Sequence, residues 1–279
     1  MSYKTILTIL TDASQMPQLD AAASLAVRED AHLDVLCLGL DMGQPGYFFP
    51  GGTAYVLQDA IDSAMAEAAD LEARVRRHLA PASDLRWSVD SAVAQSGGIA
   101  GLVGLKARFS DLTVLGSPYA PGSPGDAEIV LEAALFDGGC PVLVVPASGL
   151  PAEPPQRILL AWNQSVEALA ATRRALPLLR AARAVEIACI DPRRSGAEGP
   201  DPGAALCQML TRHGVKAEIA VLARTAATIS DELNRRAIET GADMIVMGAY
   251  GHSRLRQAIL GGATRNMLEK SAVPVFMAR

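Results

Sequence analysis

The sequence repeats itself. Near the middle it reads DLTVLGSPY, a helical stretch, then CPVLVVP (residues 111–146). Near the end it reads DMIVMGAYG, a helical stretch, then VPVFMAR (residues 243–279). Asp111, Val114 and Gly116 fall on Asp243, Val246 and Gly248 at one constant offset, and Pro141-Val142 fall on Pro274-Val275 after a shift of one residue. The openings of the two halves also correspond. TILTILTDAS (5–14) matches RILLAWNQS (157–165), pairing Asp12 with Asn163 and Ser14 with Ser165. A repeat on this scale means two copies of one folding unit in tandem. Between them lies ASGLPAEPP, whose prolines resist continuation of a strand or helix. The expected domains are therefore residues 1–148 and 156–279.

Each half alternates short apolar runs with longer helical patterns. Strands are expected near 5–10, 33–40, 85–90, 111–116 and 141–145, with helices near 17–30, 55–80, 96–109 and 126–137. The second half repeats the order, with strands near 157–162, 184–190, 216–222, 243–248 and 274–278 and helices near 166–182, 201–213, 228–241 and 262–271. Pro177 stands inside the helical pattern 166–182 and predicts a kink there. Alternating strands and helices imply right-handed crossovers and a parallel sheet covered on both faces, the α/β class. Aromatics are only 4% of the chain, so the cores must be built from Ala, Val, Leu and Ile, which suits such a sheet.

Charge and cysteine usage exclude several functions. The net charge is −5, and the densest basic runs, Arg74 to Arg77 and Arg173-Arg174, are interleaved with apolar helical positions as solvated helix faces are. No basic stripe for nucleic acid is present. MSYKTILTIL has neither a signal-peptide core nor the roughly 20 apolar residues of a membrane span. Cys37, Cys140, Cys189 and Cys207 lack metal-ligand or redox spacing, and the first three sit in or beside apolar strand runs as small hydrophobes. A cytoplasmic, reduced protein is the expectation. The sequence also contains no GxSxG elbow, no HExxH and no Walker lysine, so nothing argues for an enzyme.

In an open parallel sheet, ligands bind beyond the carboxyl ends of the strands at the point where strand order reverses. In the second half the strands that meet there end at Asn163 and Gly248. GAYGHSRLRQAILGGATRNML follows, with Gly248, Gly251 two residues on, Gly261 nine residues further and then Gly262. Glycines let backbone approach a ligand closely, and the start of the following helix offers free N–H groups to a phosphate. The same spacing is also met by glycines that merely turn a loop.

This segment resembles the nucleotide signature of universal stress proteins, Gly-x2-Gly-x9-Gly followed by Ser or Thr, and VPVFMAR resembles their closing strand. The resemblance covers both halves. It implies two tandem five-stranded Rossmann-like domains, each in strand order 3-2-1-4-5, related by a pseudo-twofold axis. It also implies ATP as ligand, with or without Mg2+, and a regulatory or stress-response role. Carried over by position, Gly248, Gly251 and Gly261 hold the phosphates, Asn163 takes the place of an Asp at the nucleoside, and Ile190 lines the adenine. Gly262 replaces the hydroxyl residue of the signature, which leaves its N–H in place, and Thr264 one turn on offers a hydroxyl. His252 and Arg254 stand beside the loop, where they either neutralise phosphate or are solvated.

The first half departs further. Tyr119 occupies the second glycine position and Glu128-Ile129 the phosphate-binding pair, although Asp12 remains. A carboxylate there repels phosphate, so this half is expected to carry no nucleotide. The apolar last strands of the two halves would otherwise leave exposed edges, and separate domains of the resembled family dimerise through that strand. An intramolecular pseudo-dimer follows as the expectation, with a homodimer of whole chains left open. Tyr47, Phe48 and Phe49 form a loop cluster that caps a cleft, meets a partner or packs on its own domain. His32, His78 and His213 fall at apparent helix ends. Two function classes remain: an ATP-binding stress or regulatory protein, and a nucleotide-free interaction scaffold of the same fold.

Overall fold

The computed structural model describes residues 2–41, 53–192, 201–249 and 263–279. The loop aromatics Tyr47, Phe48 and Phe49 lie outside these residues. The chain forms two compact units. The first comprises Ser2–Gly116 and Pro121–Cys140, and the second comprises Ser117–Ala120 and Pro141–Arg279.

The first unit holds strands β1 (Thr5–Leu10), β2 (His32–Asp41), β3 (Arg86–Gln95) and β4 (Leu112–Gly116), all parallel in the order β3-β2-β1-β4. Helices α1 (Met16–Glu29), α2 (Thr53–Leu79), α3 (Ile99–Ala107) and α4 (Ala127–Phe136) connect them. β1 is apolar at Ile6, Leu7, Ile9 and Leu10, and all four are buried, as a strand covered on both faces requires. Asp30 ends α1 in the left-handed conformation (φ 51°), and its N–H bonds back to the carbonyls of Ala26 and Val27. His32 opens β2 rather than ending a helix, because Asp30 has already turned the chain. His78 does stand in the last turn of α2, 2.6 Å from Asp20.

The second unit holds β5 (Val142–Val145), β6 (Arg157–Ala161), β7 (Ala184–Ile190), β8 (Ala217–Leu222), β9 (Met244–Gly248) and β10 (Val275–Ala278) in the order β5-β10-β9-β6-β7-β8. Its helices are α5 (Val166–Arg174), α6 (Leu176–Ala181), α7 (Ala204–Arg212), α8 (Ile229–Thr240) and α9 (Ala263–Lys270). Counted within the second half, the order is 3-2-1-4-5, and all four pairings are parallel. The first half shows 3-2-1-4 in its own unit. Its fifth strand, β5, lies in the second unit, antiparallel to β10 with Val144 opposite Val275 and Leu143 opposite Phe276.

The repeat is structural as well as textual. The Asp111 carboxylate accepts the N–H groups of Lys4 (2.7 Å) and Thr5 (3.1 Å), fastening the start of β1 to the start of β4. Asp243 accepts those of Gln156 (2.8 Å) and Arg157 (3.1 Å) and fastens β6 to β9 in the same way. The stretch expected as one kinked helix over 166–182 is two helices, α5 and α6, meeting at Ala175. Pro177 has no N–H for the carbonyl four residues back and clashes with it, so the break falls there.

A buried carboxylate closes the loop between β8 and α8. Glu232, 0% exposed, accepts from Ala226 N (2.9 Å) and Thr225 N (3.0 Å) and pairs with Arg235. The Ala226 N–H leads the causes that hold its pKa near 2, against the usual 4.5, with Arg235 and Thr225 adding to it. A depressed pKa contributes stability above the unfolded value and loses it as pH falls through the folded one. We expect Glu232→Gln to lower the melting temperature by several degrees near pH 7, with the gap from the natural protein closing between about pH 4.5 and 2. Thermal unfolding followed by circular dichroism across that range tests this. A gap that is constant with pH would show that the carboxylate charge is irrelevant.

Candidate functional site

β6 and β9 are parallel neighbours, with Ile158 opposite Met244 and Leu160 opposite Val246, and their carboxyl ends mark the reversal of strand order in the second half. Past β6 the chain turns sharply through Gln164 (φ 63°). Asn163 is exposed, and its Oδ1 accepts from Ser165 N (3.2 Å). Ser165 then caps α5, its hydroxyl accepting from Ala168 N (3.1 Å). The aligned Asp12 accepts from Ser14 N at 2.7 Å in the first half, and the Ser14 hydroxyl, followed by this N–H, leads the causes that lower its pKa.

Gly248 ends β9 against the first turn of α5. A Cβ there would lie 2.5 Å from Ala168 N and 2.7 Å from the Glu167 carbonyl carbon. The sequence assigns this glycine to close approach by a ligand. In the structure it is the backbone of α5 that approaches, so the residue is glycine for a packing reason first. Ile190 is the half-buried last residue of β7, opposite Leu222, and Asp191 turns the chain after it (φ 42°). Thr264 sits in the first turn of α9 and is only 4% exposed. The structure thus brings Asn163, Gly248 and Ile190 to the carboxyl ends of three adjacent strands, β6, β9 and β7. Gly251, His252, Arg254, Gly261 and Gly262 lie outside the described residues.

The two halves differ at the strand ends in a way that their aligned motifs do not announce. In the first half, buried Gln18 on α1 fills the crevice between β1 and β4. Its Nε2 donates to Ile9 O (2.7 Å) and Thr8 Oγ1 (2.9 Å), and its Oε1 accepts from Gly116 N (2.7 Å). Gln15 closes the rim, accepting from Thr11 N (2.7 Å) and Asp12 N (3.1 Å). At the offset that pairs Asp12 with Asn163, these residues become Val166 and Leu169, which offer no amide to the strand ends. Val166 is 77% exposed. The signal lies in the repeat itself: two amides at the start of α1, Gln15 just before it and Gln18 in it, where α5 has two aliphatic side chains.

Three of the four cysteines are enclosed, and Cys207 is half-buried. Cys37, Cys140 and Cys189 are buried, and burial leads the causes that push the Cys37 thiol up to about 12, so it stays protonated near neutral pH. Among the described residues no group of three or more His, Cys, Asp or Glu side chains is placed to hold a metal ion. No described helix is long and apolar enough to cross a membrane.

Comparison with known proteins converges on this architecture. Residues 155–279 match the model of the universal stress protein family. A universal stress protein of Synechocystis sp. is 32% identical over 72 residues, 26% of this chain, and one of Methanocaldococcus jannaschii is 35% identical over 49 residues, 18% of this chain. These matches span 24% and 30% of the two relatives' own lengths. The crystal structure of a universal stress protein from Archaeoglobus fulgidus superposes with a TM-score of 0.74 at 16% identity, covering 99% of this chain and 96% of that one. At such identity the superposition establishes the fold, across both halves. Residues 155–279, which carry both the sequence match and the full 3-2-1-4-5 sheet, are thus similar to the universal stress protein family.

Proposed function

We propose that the second half binds ATP at the carboxyl ends of β6 and β9, one nucleotide per chain, and that the bound nucleotide serves a regulatory, stress-responsive role. The observation that carries this reading is the contrast between the two crevices. Gln15 and Gln18 bond to the strand ends of the first half, whereas Val166 and Leu169 at the matching positions of the second half offer no amide, beside exposed Asn163. An exposed valine and an amide at a strand-order reversal form a surface that a nucleoside would cover. Asn163 retains a donor and an acceptor where the signature has a carboxylate. Gly251, Gly261 and Gly262 are assigned to the phosphates, with the backbone N–H groups that precede and open α9 and the positive end of its dipole. His252 and Arg254 add positive charge beside them. Mg2+, where it accompanies ATP, would be held mainly by the phosphates and water, in keeping with its preference for few protein ligands. Domain boundaries at 148 and 156 fit a site contained in the second half, with the first half as a nucleotide-free partner.

Calorimetric titration of ATP into the full chain is expected to give a stoichiometry near one. Gly251→Asp should abolish the signal by setting a side chain and a negative charge against the phosphates. Mass spectrometry of nucleotide released on denaturing the purified protein gives a second readout. No binding at millimolar ATP by a folded protein that also releases no nucleotide would leave the nucleotide-free scaffold as the function.

A further inference from the structure

The segment that replaces the first half's own glycine loop is built into the second unit. Ser117–Ala120 leave β4 and lie with β5 and the C-terminal half. Ser117 N donates to Val145 O of β5 (3.0 Å). Its hydroxyl donates to Leu268 O (2.9 Å) in the last turn of α9. Helix ends leave their final carbonyls without backbone donors, and α9 has only eight residues, so the loss of one such partner is felt by the whole helix. Ser271 N serves Met267 O (2.9 Å), and Ser117 serves the next carbonyl.

One turn earlier, the guanidinium of Arg265 stands over the ring of Tyr119, 4.9 Å from its centroid, while its Nε donates to Glu269 (3.0 Å). On another side Lys270 reaches Asp231 of α8 (2.7 Å). α9 is therefore fastened both to its own domain and to a short piece of the preceding one. Tyr119 also occupies the second glycine position of the signature in its own half. A residue incompatible with phosphate approach there has become a surface for holding the helix that opens beside the proposed phosphate site of the other half.

We propose that Ser117 and Tyr119 are positioning residues for α9, and that through α9 the first half sets the nucleotide affinity of the second. The coupling to nucleotide rests on the ATP reading above; the fastening of α9 stands without it. An aromatic ring under a guanidinium is worth less than a buried contact, so the effect is graded rather than absolute.

The test uses the full chain and three variants, Tyr119→Leu, Tyr119→Phe and Ser117→Ala, each checked for an unchanged far-ultraviolet spectrum. Without nucleotide, amide exchange over residues 267–270 is expected to speed up in Tyr119→Leu and Ser117→Ala and to stay at the natural rate in Tyr119→Phe, which keeps the ring. With ATP, Tyr119→Leu should bind about threefold to tenfold more weakly, and Tyr119→Phe within about twofold of the natural protein. Unchanged exchange in Tyr119→Leu overturns the fastening, whatever ATP does. Faster exchange with unchanged ATP affinity overturns the coupling and leaves the ATP reading intact. Faster exchange in Tyr119→Leu, with no ATP bound by the natural protein, upholds the fastening and removes the function assigned to it.

Discussion

Phe276→Ala is expected to destabilise the second unit by about 3–5 kcal/mol, the range for truncating a fully enclosed aromatic. Phe276 is 0% exposed in the middle of β10, with Leu143 of β5 on one side and Val246 of β9 on the other. The cavity would open where an antiparallel and a parallel pairing meet, and strands of four and five residues have little freedom to close over it. Denaturant unfolding of the full chain measures this as a shift in the second unit's midpoint at unchanged slope. A loss below about 1 kcal/mol would mean that the site collapses without strain and that Phe276 is not a packing centre.

Gly248→Val is expected to cost about 1–3 kcal/mol, near the upper end for overpacking. The two nearest atoms, at 2.5 and 2.7 Å from the added Cβ, belong to the backbone of α5, so no rotamer change can relieve the overlap and the helix must move. ATP affinity should fall in the same variant, because Asn163 and Ser165 are fixed to that first turn. Gly101→Ala supplies the comparison. It lies in α3 where an added Cβ meets nothing within 4 Å, and there we expect no loss, or a gain of about 0.5–1 kcal/mol from helix propensity. Equal stability of the two variants would remove the packing explanation for Gly248.

The ten strands were legible because two-sided burial writes continuous apolar runs, and the repeat wrote them twice. TILTIL and RILLA each form a buried strand, and Asp111 and Asp243, which the repeat aligns, fasten their strands through the same two backbone N–H positions. The order of the strands was not legible in composition or spacing; it came with the family resemblance. Pro177 announced a disturbance but not its kind, since a kink and a full break share the same missing donor, and the φ/ψ of Ala175 depends on what α6 packs against. Gln18 escaped because it looks like one polar residue in an amphipathic helix. Its role exists only once β1 and β4 are adjacent and their ends need partners, a tertiary fact that local pattern does not encode. Residues 250–262, which carry most of the nucleotide signature, lie outside the described residues, so the assignment of Gly251, Gly261 and Gly262 stays with the resemblance.

The antiparallel pair of β5 and β10 also has a consequence for how the chain is made. About 130 residues separate the two strands, and translation adds roughly 5–20 residues per second, so Val142–Val145 leave the ribosome some 7–26 s before Val275–Ala278 do. During that interval VLVV carries an apolar strand edge that its eventual neighbour does not yet cover. Nascent chains halted anywhere between residues 146 and 274 should therefore be the ones most prone to pair with each other, and the emergence of β10 should end that hazard. Ser117–Ala120, held by β5 and α9, must wait equally long for its place, so the last helix and the last strand complete together what the first half began.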